Sequence, residues 1–286
     1  MESENAPGRA WPEGFPSVMA LAHTWEMQEH MDYKAAKGGD REAGARLVLD
    51  VTKGETQQNM LRELAEKYPD AIVVPVHAEE MEGRNQIPSL LAEYIGDLTG
   101  LEVDNNIVQS DRVGRTDSGA WDRMAYRPSF DGEVQAGKKY IIVDDVVTQG
   151  GTLSEMRRYI EANGGEAVQM ITIGAARNST IIALSEKNRI KLVKRYGEEI
   201  LRVFLKEVGL YGGSYESLTA SEARQLMEAG SLDEARNRIF EARQKGNNAI
   251  RAEILSRARS EEDSEINAEG RSERGGPVYG HEAPLD

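Results

Sequence analysis

Asp144 and Asp145 stand together at the end of an apolar run, and Thr148-Gln149-Gly150-Gly151-Thr152 follows at once. Tyr140 to Val143 is continuously apolar and rich in β-branched residues, the pattern of a strand buried on both faces of a parallel sheet. Open α/β sheets bind ligands beyond the carboxyl ends of their strands, which is where the two carboxylates are expected. The Thr- and Gly-rich run can wrap backbone N–H groups around an anion at the start of a helix. Its two glycines permit close backbone approach, and its threonines add hydroxyls. Carboxylates for sugar hydroxyls or Mg²⁺, beside a cradle for a phosphate, suit a phosphorylated sugar. An ordinary strand-turn-helix would need neither paired acids nor two flanking threonines.

Over Lys138 to Leu153 the sequence resembles the motif by which type I phosphoribosyltransferases bind 5-phosphoribosyl 1-pyrophosphate (PRPP). A hydrophobic strand, an acidic pair and a T-x-G-G-T loop agree in residue type and order over about a dozen positions. The resemblance implies that Asp144 and Asp145 hold the ribose hydroxyls and reach Mg²⁺ indirectly, with PRPP. It implies that Thr148, Gln149, Gly150, Gly151 and Thr152 hold the 5′-phosphate. The expected reaction is a Mg²⁺-dependent phosphoribosyl transfer to a nucleobase or other nitrogen nucleophile, with release of pyrophosphate. That is the activity of a glycosyltransferase of the pentosyltransferase class.

The same family places a pyrophosphate loop after an earlier strand, and Ala71 to Pro88 is similar to it. Arg84 is the natural partner, because a guanidinium makes bidentate contacts to phosphate oxygens. Asn85 and His77 complete the expected pyrophosphate set, with packing at a strand end as the other reading of His77. Glu79 and Glu80 would repel pyrophosphate directly, so they act through Mg²⁺ or form a solvated face. The long segment Ser110 to Gly137 matches in position the family's mobile catalytic loop. Arg112, Arg115, Arg123 and Arg127 fit a lid over the leaving group, with Arg115 at its tip as the catalytic cation. Trp121 and Tyr126 can stack on an acceptor ring, although core packing is the plainer reading of isolated aromatics.

The elements around these motifs follow from periodicity and punctuation. Residues 1–15 read as a flexible lead and 16–70 as an N-terminal helical segment. Ser17 to Ala36 has a one-sided apolar stripe, Asp40 to Val51 is read as helix, and Thr56 to Tyr68 is amphipathic. The core, 71–175, alternates strand and helix: Ala71 to Val76, Ile87 to Leu98 with Pro88 in its first turn, Leu101 to Gln109, the motif strand, Thr152 to Ala162, and Ala167 to Ile173. The fold class is therefore α/β: a parallel, Rossmann-like sheet flanked by helices, with N-terminal helices and a helical C-terminal extension over 176–257. In that extension Glu198 to Val208 is strongly amphipathic. Thr219 to Glu222 and Ser231 to Glu234 are capping-box start signals. Residues 258–286 are charged and poor in apolar side chains, and read as disordered.

At 286 residues the chain can bury a full α/β core. The absence of cysteine excludes disulfides, thiolate metal sites and a Cys nucleophile. A net charge of −14 disfavours nucleic acid and anionic membranes. Met1 to Gly14 has no apolar core of a signal peptide, and a cytoplasmic location is expected. The expected partners are small molecules, PRPP and an acceptor; the family resemblance adds a homodimer. The competing function is a regulator of the same fold that binds PRPP or a nucleotide without turnover. The acceptor would be read by a hood built from the N-terminal helices, the C-terminal helices or both.

Overall fold

The computed structural model describes residues 9–77, 85–110 and 119–246. The chain divides into two units, Met1–Ile239 and Phe240–Asp286. Of the second, residues 240–246 are described, and they are helical. The first unit carries everything that follows.

Its centre is a five-stranded sheet in which every pairing is parallel. In chain order its strands are β1 (Met19–Ala20), β2 (Ile72–Pro75), β3 (Glu102–Val103), β6 (Lys139–Val147) and β7 (Glu166–Ala175), and the spatial order is β1-β7-β6-β2-β3. Two short strands, β4 (Val108–Gln109) and β5 (Phe130–Asp131), pair antiparallel beside it. The middle strands are apolar on both sides because helices cover both faces. One layer holds α1 (Thr24–Gln28), α2 (Tyr33–Lys37), α3 (Arg41–Thr52), α4 (Glu55–Lys67) and α5 (Ile87–Thr99). Leu47, Leu61, Leu91 and Ile95 from these helices share one core with Val73, Ile141, Val143 and Ile171. Fully burying such a side chain contributes about 1.5–3 kcal/mol. On the other face α7 (Gly151–Ala162) packs on β6 and β7. The expected α/β class with flanking helices is the observed one.

The C-terminal extension of this unit contains α8 (Glu186–Tyr196), α9 (Glu198–Glu207) and α10 (Ala220–Glu228), and residues 232–239 are also helical. It buries Leu192, Leu201, Phe204, Leu218 and Leu226. Both capping signals operate. The Glu222 N–H donates to Thr219 Oγ1 at 3.2 Å, the Thr219 N–H donates to Glu222 Oε2 at 3.0 Å, and the Glu234 N–H donates to Ser231 Oγ at 3.1 Å.

Several local expectations are corrected. The single helix over Ser17 to Ala36 is instead a strand and two short helices. The Leu21 and Ala22 N–H groups donate to Thr172 and Ile173 carbonyls, and this edge pairing with β7 overrides the local helical period. The lead, over its described residues, is seated rather than flexible. Trp11 is buried, its Nε1–H donates to the Leu218 carbonyl at 2.9 Å, and Arg157 lies 4.3 Å above its ring. The strand Leu101 to Gln109 is broken into β3 and β4 where Asp104 Oδ1 accepts from the Asn106 N–H at 2.8 Å and turns the chain. The long loop contains a helix, α6 (Ala120–Ala125), started by the Gly119 N–H donating to Asp122 Oδ2. Residues 176–184 are not helical, since Ser179 Oγ and the Ala176 N–H are both bonded to the Val147 carbonyl.

Candidate active site at the carboxyl edge of the sheet

β6 does not stop at the acidic pair. Asp144 pairs with Thr172 and Val147 with Ala175, because β7 is long enough to continue the ladder. Asp144 and Asp145 are therefore strand residues, and Asp145 meets the N-terminal helices.

Two partners meet Asp145 there. Its Oδ2 accepts from Lys37 Nζ at 2.6 Å and from Asn85 Nδ2 at 2.8 Å, and its Oδ1 accepts from the Val146 N–H at 2.7 Å. Lys37 comes from the end of α2 and Asn85 from the turn before α5. Burial works against the Lys37 charge, but Asp145 outweighs it and holds the ammonium above its ordinary value. Asp144 interacts with its neighbour, and Lys37 acts on it as well. One of its oxygens accepts from the Asp145 N–H at 2.8 Å, and burial together with the neighbouring carboxylate pushes its carboxyl well above the usual carboxylate range.

Among the described residues no cluster of three or more His, Asp or Glu is arranged to hold a metal. Any Mg²⁺ at the acidic pair would have to be completed by a phosphorylated ligand. That ion demands oxygen ligands and is commonly held by one or two carboxylates plus substrate phosphates.

Thr148 to Thr152, the loop expected to hold a phosphate, runs directly from β6 into α7. Gly150 caps α7 in the left-handed region at φ 75°. A Cβ there would lie 2.4 Å from Ile182 Cδ1, so both conformation and space require glycine. Gly150→Ala is expected to destabilise the fold by about 2 kcal/mol or more. Adding Ile182→Ala should recover only the packing share; a urea midpoint for Gly150→Ala equal to the parent's would refute this account. Beyond Gly150, the start of α7 aims its N–H groups and positive dipole end at the loop.

The C-terminal extension forms the wall of this loop, which the sequence did not signal. Gln149 Nε2 donates to Gln225 Oε1 on α10. Arg127 lies against Gly151, is ion-paired to Glu222 and sits 4.9 Å from the Tyr211 ring. Burial opposes the Arg127 charge, and Glu222 raises its pKa well above the ordinary value. Arg127 is thus committed to a buried cluster and is not a free lid cation. Trp121 lies under Arg238.

Of the expected pyrophosphate set, Asn85 reaches Asp145. His77 is engaged at Nε2 with the Asn105 carbonyl at 2.9 Å, and its own carbonyl accepts from the Gln109 N–H at 2.7 Å. That places it at the β2 strand end. Arg84, Glu79, Glu80, Arg112 and Arg115 lie outside the described residues. Lys37 was missed: a lone lysine at a helix end carries no sequence signal.

Residues 90–195 match the family described as phosphoribosyl transferase domain. Protein TraN of Escherichia coli is 36% identical over 250 residues, covering 87% of this chain and 54% of TraN. An uncharacterized protein of Haemophilus influenzae is 36% identical over 150 residues, covering 52% of this chain and 33% of that protein. The chain thus spans about half the length, or less, of these relatives. Among solved structures, a purine phosphoribosyltransferase of Pyrococcus horikoshii aligns with 44% of this chain and 75% of its own at 19% identity and a TM-score of 0.29. Adenine phosphoribosyltransferase of Leishmania tarentolae aligns with 52% and 76% at 15% identity and a TM-score of 0.29. No helix among the described residues is long and apolar enough to cross a membrane. The segment that matches the phosphoribosyl transferase domain holds β6, its acidic pair and the whole Thr148 to Thr152 loop, the same residues that carry the resemblance in the sequence.

Proposed function

We propose that this protein transfers the 5-phosphoribosyl group of PRPP to an acceptor nitrogen and releases pyrophosphate, with Mg²⁺. The observation that carries the reading is one continuous piece of chain. Asp145, held by Lys37 and Asn85, leads within a few residues to the Gly150 turn and the N-terminus of α7. A ribose between its hydroxyl contacts and its 5′-phosphate contacts is then fixed at both ends, and orientation of this kind lowers the barrier without covalent catalysis. In the reaction the bond from C1 to the pyrophosphate oxygen breaks, and its electron pair leaves on pyrophosphate. The acceptor nitrogen donates its lone pair to C1 and gives up its proton. Bound Mg²⁺ would neutralise charge developing on the leaving group. Lys37 and Asn85 stand beside Asp145 on the side of β2, where a leaving pyrophosphate would need cationic and amide donors. The start of α7 and the loop N–H groups hold the phosphate dianion.

Isothermal titration of PRPP, with and without Mg²⁺, tests the reading. Binding should require Mg²⁺, and Thr152→Ala should weaken it about 10- to 100-fold, the worth of one hydrogen bond to a charged group. Equal PRPP affinity in parent and variant would remove the loop from the site. Pyrophosphate release on adding an acceptor then separates turnover from binding alone.

A further inference from the structure

The opposite edge of the sheet carries a cavity of the reverse charge. It holds about 200 Å³ at the amino ends of β2 and β6, and Lys67, Tyr68, Asp70, Gly137, Lys138 and Lys139 are among the residues lining it. Two turns build it. Lys67 ends α4 and Tyr68 caps it, and the Ala71 N–H donates to the Tyr68 carbonyl at 3.1 Å as the chain enters β2. Gly137, in the left-handed region at φ 79°, donates its N–H to the Gly164 carbonyl at 2.8 Å, and the Lys138 N–H donates to the Gln135 carbonyl at 3.2 Å as the chain enters β6. The pairing of Ile72 with Tyr140 sets these two entries side by side. Asp144 and Asp145 lie toward the other end of β6, so the cavity is separate from the site described above.

Its charge runs against that of the chain. In a protein of net charge −14, three lysines gather here with one carboxylate, Asp70. Lys67 Nζ lies 5.0 Å and Lys139 Nζ 5.4 Å from the centre of the Tyr68 ring. The ring attracts both ammonium groups. It leaves N–H donors open, since each ammonium carries three. None of the three lysines is ion-paired among the described residues, and Glu166, opposite Lys139 in the ladder of β6 and β7, makes no ion pair with it. Lys67 also answers the negative end of α4; Lys138 and Lys139, at the start of a strand, have no helix end to offset. Gathered like charges repel one another, and a bound anion relieves that repulsion. The volume lies below the usual range for drug-sized ligands, which limits the anion to a compact one.

We infer that this cavity binds a compact, multiply charged oxyanion of the phosphate type. Lys67, Lys138 and Lys139 are its cations, and Tyr68 holds two of them in place. Such a site needs neither Mg²⁺ nor the acidic pair, and it does not rest on the phosphoribosyl-transfer reading.

The test is titration of inorganic pyrophosphate into the full chain at low ionic strength, with EDTA present so that no Mg²⁺ carries the probe to the acidic pair. Lys67→Gln with Lys139→Gln is compared with Lys187→Gln plus Lys191→Gln, which removes the same charge from α8. Pyrophosphate should bind the parent and weaken as salt rises. Its affinity should fall about fivefold or more in the first pair, with the melting temperature unchanged, and stay level in the second pair and in Thr152→Ala. Pyridoxal 5′-phosphate trapped with borohydride should mark Lys67, Lys138 or Lys139 ahead of Lys187 and Lys191, and pyrophosphate should protect them. Absence of binding, an equal loss in both lysine pairs, a loss in Thr152→Ala instead, or even labelling of all these lysines would overturn the assignment. If PRPP fails to bind while the Lys67- and Lys139-dependent affinity persists, the transfer reading falls and this anion site stands.

Discussion

Glu222→Ala is expected to destabilise the first unit by about 3–5 kcal/mol, the cost of leaving a buried charge without its counter-ion. For a domain of this size that lowers the melting temperature by roughly 10 °C. Glu222 is 1% exposed and serves three donors: Arg127, the Tyr211 hydroxyl at 2.9 Å and the Thr219 N–H at 3.0 Å. Arg127 depends on it heavily, because its buried Nε and Nη1 have no hydrogen-bond partner among the described residues. Glu222→Gln keeps the cap and the Tyr211 contact but drops the charge, and should fall between parent and alanine variant. Adding Arg127→Met to Glu222→Gln should recover stability, since an apolar replacement of a buried pair is often neutral. Thermal unfolding of the parent, Glu222→Gln, Arg127→Met and their double variant measures the coupling. A melting temperature for Glu222→Ala within about 2 °C of the parent would show that the cluster is not what holds α10 against the phosphate loop.

Asp145→Asn is expected to lower PRPP affinity about a hundredfold or more. Truncating one member of a hydrogen-bonded, desolvated charge pair typically costs 2–5 kcal/mol at a binding site. The same change strands Lys37. Because the Lys37 side chain is about a third exposed, solvent screening limits the stability loss to about 1–2 kcal/mol. The two effects separate in the double variant. Lys37→Met with Asp145→Asn should recover the melting temperature and bind PRPP as weakly as Asp145→Asn alone, or more weakly, since Lys37 also faces the pyrophosphate side. Recovery of binding together with stability would mean that Asp145 serves only to hold Lys37. Titration calorimetry and thermal unfolding on the same three chains decide between these.

The local parts of the site were legible in the sequence because their physics is local. An unbroken apolar run before Asp144 specifies a doubly buried strand. Thr148 to Thr152 specifies a turn into a helix, and Gly150 does adopt the left-handed conformation that its residue type permits. Thr219 with Glu222 marks a helix start through contacts three residues apart. The same signals misread Ser17 to Ala36, because an apolar stripe does not say which partner will cover it; the open edge of β7 did.

What only the tertiary structure decided is who meets whom across the chain. Lys37 reaches Asp145 from 108 positions away, and Arg127 reaches Glu222 from 95. Neither pair has a sequence signature, since Lys37 alone reads as a solvated charge and Glu222 as a cap. The acidic pair itself reads as two equivalent ligands. In the fold they part company: Lys37 and Asn85 pair with Asp145, while burial and the Asp145 carboxylate hold the Asp144 carboxyl well above the usual range. Residue types and spacing determined the chemistry available at the edge of the sheet. The topology, by bringing α2 under Asp145 and α10 over the phosphate loop, determined which charges are paired before any ligand arrives.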